Sequence, residues 1–234
     1  MGKTTFMKTD FRPIEYVLID SLTILPRHRL NRKLLKKSTI ARKTLATLKK
    51  ERQTATEHGA HSLVEITNIA MYMVILTVDL TALSIRILLE HDELLKNVYC
   101  RQLVLLIYEF LDDFPNLFGQ RLREILKQLP KGNSHLAEIN DIGKAISELR
   151  KRHLSAFHKI RIIAVAHRDF DGEKQYDALQ ELDTKMILDL AYEIDQRATA
   201  ILHRMTLIMR DYSWSPLEIR EIANNIEKSS QSIQ

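Results

Sequence analysis

The sequence predicts an all-α protein, an antiparallel helical bundle of long helices preceded by a basic N-terminal helical arm. Three observations lead there. Glycine and proline are scarce, six and five in 234 residues, so few positions interrupt a helix. Apolar residues recur at spacings of three and four along most of the chain, which places them on one face of a helix. No segment of any length alternates with the two-residue period of a strand. With 45% hydrophobic residues, the chain can bury a sizeable core in one large domain, or in one domain with an appendage.

The N-terminal MGKTTFMKTD lacks the apolar stretch of a signal peptide, and Phe6 stands where a myristoylation signal needs Ser or Thr. Its GKTT lacks the upstream glycine of a phosphate-binding loop. From Asn31 to about Thr56 one helix is expected, with Leu34, Ala41, Leu45 and Leu48 on its apolar face. Arg32, Lys33, Lys36, Lys37, Lys43 and Lys50 surround the rest. His58-Gly59 marks a break, after which Ser62 is placed to cap a helix running to about Glu90. Asp92 to Phe114 reads as a further helix, ended by Pro115, and a shorter one from Asn116 stops at LPKGNS.

From about His135 to Phe170, a stripe of Ile139, Ile142, Ile146, Leu149, His153, Phe157, Ile160, Ala164 and His167 follows one helical face, with Gly172 as its stop. After the turn DFDGE, residues from Tyr176 through Met186, Ile194 and Met205 to Ile208 continue the pattern to about Asp211. Ser215-Pro216 then opens a short terminal helix. The expected organisation is a basic arm at 1–60, a bundle at 61–212, and a short C-terminal helix and tail at 213–234.

Charge is unevenly spread. Residues 1–60 hold 14 Lys/Arg against 5 Asp/Glu, net plus nine, and the remainder holds 21 against 25, net minus four. A local excess of this size points to an anionic partner, whether nucleic acid, an acidic protein or the membrane surface, and with nucleic acid phosphate-backbone attraction would make the binding salt-sensitive and poor in sequence preference. A solvated basic surface is the alternative. The single Cys100 can form no intrachain disulfide and no four-ligand zinc site, which fits a reducing cytoplasm. The apolar run IAMYMVILTVDLTALSIRILLE is interrupted by Asp79 and Arg86, so a buried bundle helix is expected there, with no membrane span.

The stretch RIIAVAHRD, Arg161 to Asp169, carries the most distinctive chemistry. A histidine moves protons near neutral pH, and a guanidinium keeps its charge and matches phosphate oxygens in a bidentate manner. Together they suit phosphodiester chemistry, but one pair is too sparse. Metal-free RNA cleavage needs a group to take the 2′-hydroxyl proton, one to assist the leaving oxygen, and charge to stabilise the phosphorane. A symmetric dimer would supply two copies of each.

RIIAVAHRD, preceded on one helix by ISELRKRHLSAFHK and followed by a second long helix, resembles the Arg-(four to six residues)-His motif of the HEPN superfamily of helical bundles. It is similar to the R…AHRD form found in abortive-infection HEPN proteins of bacteria. The resemblance covers at most the bundle from about Ser62 to Tyr212, and its specific part is about nine residues. It implies a homodimer with a metal-independent endoribonuclease site across the interface, leaving a 2′,3′-cyclic phosphate. In that setting Arg161 would stabilise the phosphate and His167 would act as general acid or base; Lys159 and Arg168, basic residues next to the motif, are further candidate contacts to nucleic acid. It also implies a toxic effector in a bacterial defence or toxin system, with an antitoxin or other protein partner. Ile162 departs from the polar residue that many active members carry after the arginine.

Other chemistries find little support. His167 also continues the apolar stripe, as a packing histidine would, and His153 and His158 on the same helix, though placed to join a polar cluster with Lys159, read as surface or packing residues. Asp169, Asp171 and Glu173 flank Gly172, but a calcium loop in that register would put His167 and Ala178 at its end ligands. No Glu has a His three residues later, as a di-metal bundle requires, so no metal or cofactor is expected. Aromatic residues, at 6%, are too few for a base-stacking platform. The competing class is a non-catalytic interaction module, holding a protein or nucleic acid through the basic arm or through the Met-rich HRMTLIMRDYSW.

Overall fold

The computed structural model describes residues 27–127, 132–162, 173, 176–177 and 182–212. The expected C-terminal helix at Ser215-Pro216 and the first 26 residues lie outside them. Six helices appear in order: α1 (Arg27–Glu57), α2 (His61–Leu89), α3 (Glu93–Leu117), α4 (Gln120–Lys127), α5 (Gly132–Ile160) and α6 (Thr184–Tyr212). No strand occurs among the described residues, and the all-α class holds.

Helix α1 contains no Gly or Pro and ends where the sequence marks a break. Gly59 adopts φ 70, a left-handed conformation that favours glycine. The Ala60 amide donates to the Ala55 carbonyl at 2.8 Å and the Gly59 amide to that of Thr56 at 3.1 Å, so the last carbonyls of α1 are satisfied. This turn starts α2 at once. Ser62, expected to cap it, lies inside the first turn, and Ala60 occupies the cap position without a side-chain bond.

Helix α3 starts on a true cap, the Asp92 carboxylate accepting from the amides of Leu94 and Leu95 at 2.9 and 3.0 Å. Its end differs from expectation: the helix passes through Pro115 and stops at Leu117. Proline removes the amide that would bond the Leu111 carbonyl four residues earlier. Arg150 Nε of α5 donates to that carbonyl at 3.0 Å, which compensates the lost bond from a distant helix. Gly119 then turns the chain into α4, where a Cβ would lie 2.7 Å from the Pro115 carbonyl oxygen.

Helices α2, α3, α5 and α6 form a four-helix bundle in which α2 packs on α3 and α6, and α5 packs on α3 and α6. Neighbours run antiparallel: His135 at the start of α5 meets Asp211 at the end of α6, with Nε2 and Oδ2 3.3 Å apart. Glu138 and Arg204 pair one turn further in. One core fills the interior, built from Ile66, Met73, Leu80, Leu103, Phe110, Ile146, Phe157, Ile194 and Met205 among others. Each such side chain contributes about 1.5–3 kcal/mol by leaving water. Met205, Ile208 and Met209 of the Met-rich stretch are buried as well.

Helix α1 lies along α2, with Leu30, Ala41, Leu48 and Ala55 buried, and Ala41 and Leu48 belong to the same core as the bundle. Among the described helices, α2 alone is long and apolar enough to cross a membrane. Its apolar surface is taken up by α1, α3 and α6, and the strip left exposed carries Asn68, Ile75, Asp79 and Arg86. Two ends were read differently from the sequence. Gly132, expected in a loop, is buried as the first residue of α5. Leu182 and Asp183 interrupt the pattern expected to run on from Tyr176, and the Asp183 carboxylate accepts from the Met186 amide at 3.0 Å to start α6.

Candidate functional site: an arginine, a histidine and a tyrosine at the end of α5

The stripe on α5 buries Ile139, Ile146, Leu149 and Phe157, and this sets which residues of its last turns face outward. His158 follows Phe157 and is exposed, while Arg161, one turn on, is half-buried in a π-helical turn with Ile162. Wider turns of this kind are frequent at functional sites. Ile162 is 41% exposed, so it points away from the core.

Both polar side chains meet Tyr108 of α3. Tyr108 is 8% exposed, and its hydroxyl lies 3.1 Å from His158 Nδ1, with the ring centroids 5.7 Å apart and tilted by 36°. The Arg161 guanidinium carbon stands over the same ring, 5.1 Å from its centroid, within the range of a cation–π contact. Arg161 Nε is buried and has no hydrogen-bond partner, and no carboxylate pairs with Arg161 among the described residues. A half-buried guanidinium held against an aromatic face and lacking a carboxylate is suited to receive an anion. His167 and Arg168, the other expected members of the motif, lie outside the described residues. Lys159, next in the chain to His158, is exposed.

Tyr108 and His158 were not assigned a role from the sequence. Tyr108 sits in the apolar run LVLLIYEFLDD, 50 residues from His158, and nothing in either segment announces the contact. The one local signal is that His158 and Arg161 are three apart, hence neighbours on a helix.

The basic set on α1 divides. At 100° per residue, Arg32, Lys36, Lys43 and Lys50 fall with Arg29 in a sector of about 60°, spread over about 30 Å of helix. All five are exposed, and no Asp or Glu occurs from Arg27 to Lys50. Lys33 is half-buried and has a partner of its own. Lys37 departs from the outward set altogether. Its Nζ donates to Asp195 Oδ1 at 2.9 Å and to Thr81 Oγ1 at 2.5 Å, with Lys37 14% and Asp195 0% exposed, so its charge is neutralised within the fold. The helical wheel puts residue 37 on the same side as Leu30 and Leu48, which is why it points inward.

Cys100 is fully buried, its Sγ 3.7 Å from Thr184 Oγ1, and burial pushes its thiol above the usual range, the opposite of an activated nucleophile. Among the described residues no three His, Cys, Asp or Glu side chains converge as a metal site. No family model, curated protein or solved structure matches the chain.

Proposed function

We propose that this protein is an RNA-directed bundle of HEPN type that cleaves phosphodiesters without a metal ion. Arg161 and His167 act in the reaction, and two copies of the pair meet across a homodimer interface. What carries the reading is the condition of Arg161: a guanidinium seated on a tyrosine ring, partly withdrawn from water, with no carboxylate partner among the described residues. In the proposed reaction the 2′-oxygen attacks phosphorus as a base takes its proton, and the bond to the 5′-oxygen breaks as an acid protonates that oxygen. The products are a 2′,3′-cyclic phosphate and a 5′-hydroxyl, while the guanidinium stabilises the charge that builds on the phosphoryl oxygens. The cationic ridge on α1 supports a nucleic-acid partner, because five exposed cations in a stretch that holds no Asp or Glu attract a phosphate backbone. A role as a toxic effector with an antitoxin partner rests on the family resemblance.

The test is digestion of mixed RNA in EDTA by wild type, Arg161→Ala and His167→Ala. Cleavage that falls about 10²–10³-fold in each variant is the expected result. Equal cleavage by all three would sink the assignment. The ridge also favours a second reading, a module that binds nucleic acid without cutting it. Affinity for an oligonucleotide that drops steeply with salt, in a protein that leaves RNA intact, would select it.

A further inference from the structure

We propose that Tyr108, His158 and Arg161 form a phosphate-binding site within a single protomer, in which Arg161 and His158 take the oxygens of an RNA phosphodiester and Tyr108 positions both. This inference rests on the RNA-directed reading for the identity of the phosphate ester. The three residues themselves are placed by packing alone.

Each residue meets a requirement of the site. The Arg161 guanidinium is planar and carries five donors, its Nε is buried without a partner, and its stacking on Tyr108 limits the entropy lost when an anion docks. His158 is exposed, and its Nδ1 is engaged by the Tyr108 hydroxyl, which leaves Nε2 for a ligand. With the hydroxyl donating to Nδ1, Nε2 carries the proton and donates to a phosphoryl oxygen, which is the tautomer the site requires. Tyr108 is the positioning residue: its ring seats the cation, its hydroxyl selects the histidine tautomer, and its burial in the core makes the seat rigid. Asp112 of α3, one turn on from Tyr108, pairs with Arg150 at 3.7 Å, which offsets the carboxylate's charge.

The experiment follows the His158 ring by NMR in the full-length protein labelled at histidine, with His158→Gln to assign the signal. Inorganic phosphate is added first, then a 2′-deoxy oligonucleotide, which cannot be cleaved through a 2′-hydroxyl. A saturable shift with both ligands is expected, tighter for the oligonucleotide, and weakened about tenfold in Arg161→Ala, the loss of one charge-assisted contact. Tyr108→Phe keeps the ring and should retain most of the affinity while changing the tautomer signature of the His158 nitrogens, a readout that general loss of structure does not produce. Absence of a saturable shift in the wild type overturns the site, and this measurement needs no variant to fold. A shift of equal affinity in Arg161→Ala overturns it as well. A response to phosphate but not to the oligonucleotide overturns the RNA assignment in favour of a small phosphate ester. Saturable binding of both ligands in a protein that leaves RNA intact upholds the site and removes the cleavage reading instead.

Discussion

His153 illustrates how one side chain reports its surroundings. It is half-buried on α5, with its ring 6.0 Å from that of Phe157, and burial together with the neighbouring Arg152 holds its pKa below the ordinary histidine value, Glu193 opposing. The folded state therefore prefers the neutral ring. A depressed folded pKa contributes stability above the unfolded value of about 6.5 and loses it as pH falls toward and through the folded pKa. Urea unfolding of wild type and His153→Phe should give a difference in stability that narrows in favour of the variant as pH drops below about 6.5. A difference that stays constant with pH would show that His153 titrates alike in both states. At this scale the sequence is a partial guide. It placed His153 on the packed stripe, but it left His158 between surface and packing roles, because the Tyr108 hydroxyl that engages it comes from another helix.

At the scale of the element, helix α1 is docked as well as amphipathic, and Lys37 fastens it. The lysine crosses from α1 to Thr81 of α2 and Asp195 of α6, joining three helices through one ammonium group. Removing one member of a buried pair leaves the other charge without compensation, which costs about 3–5 kcal/mol, whereas replacing both with apolar groups is often near neutral. Lys37→Met should therefore lower unfolding free energy by about 3–5 kcal/mol, with most of that recovered in Lys37→Met/Asp195→Leu. Two single losses that simply add in the double variant would remove the coupling claimed for the pair. Helix interiors were legible from apolar spacing, because each follows from a local period of 3.6 residues. Their ends were less so. Pro115 reads as a stop until Arg150, 35 positions away, satisfies the carbonyl it leaves open.

Across the whole molecule, the decisive question is whether one protomer suffices. Arg161 stands over Tyr108 of α3, and the adjoining Ile162 is 41% exposed, an apolar side chain available to a second copy. If catalysis needs residues from two protomers, specific activity should fall on dilution through the dimer dissociation range, with sedimentation measured at the same concentrations. Activity that stays proportional to protein down to a fully monomeric population would falsify the cross-interface arrangement, and it would leave Tyr108, His158 and Arg161 as the groups available within one chain.

The amino-acid sequence by itself determined the all-α class, the positions of the long helices and the concentration of positive charge in the first 60 residues. These depend on composition and on near-neighbour spacing, which a linear chain expresses directly. Only the tertiary structure decided which cations face water and which are consumed inside. Arg32, Lys36, Lys43 and Lys50 are exposed, whereas Lys37 is paired with a residue 158 positions away. It also decided that Arg161 shares an aromatic seat with His158. Such contacts depend on which helices become neighbours, and that is set by how the apolar faces of all six close on one core.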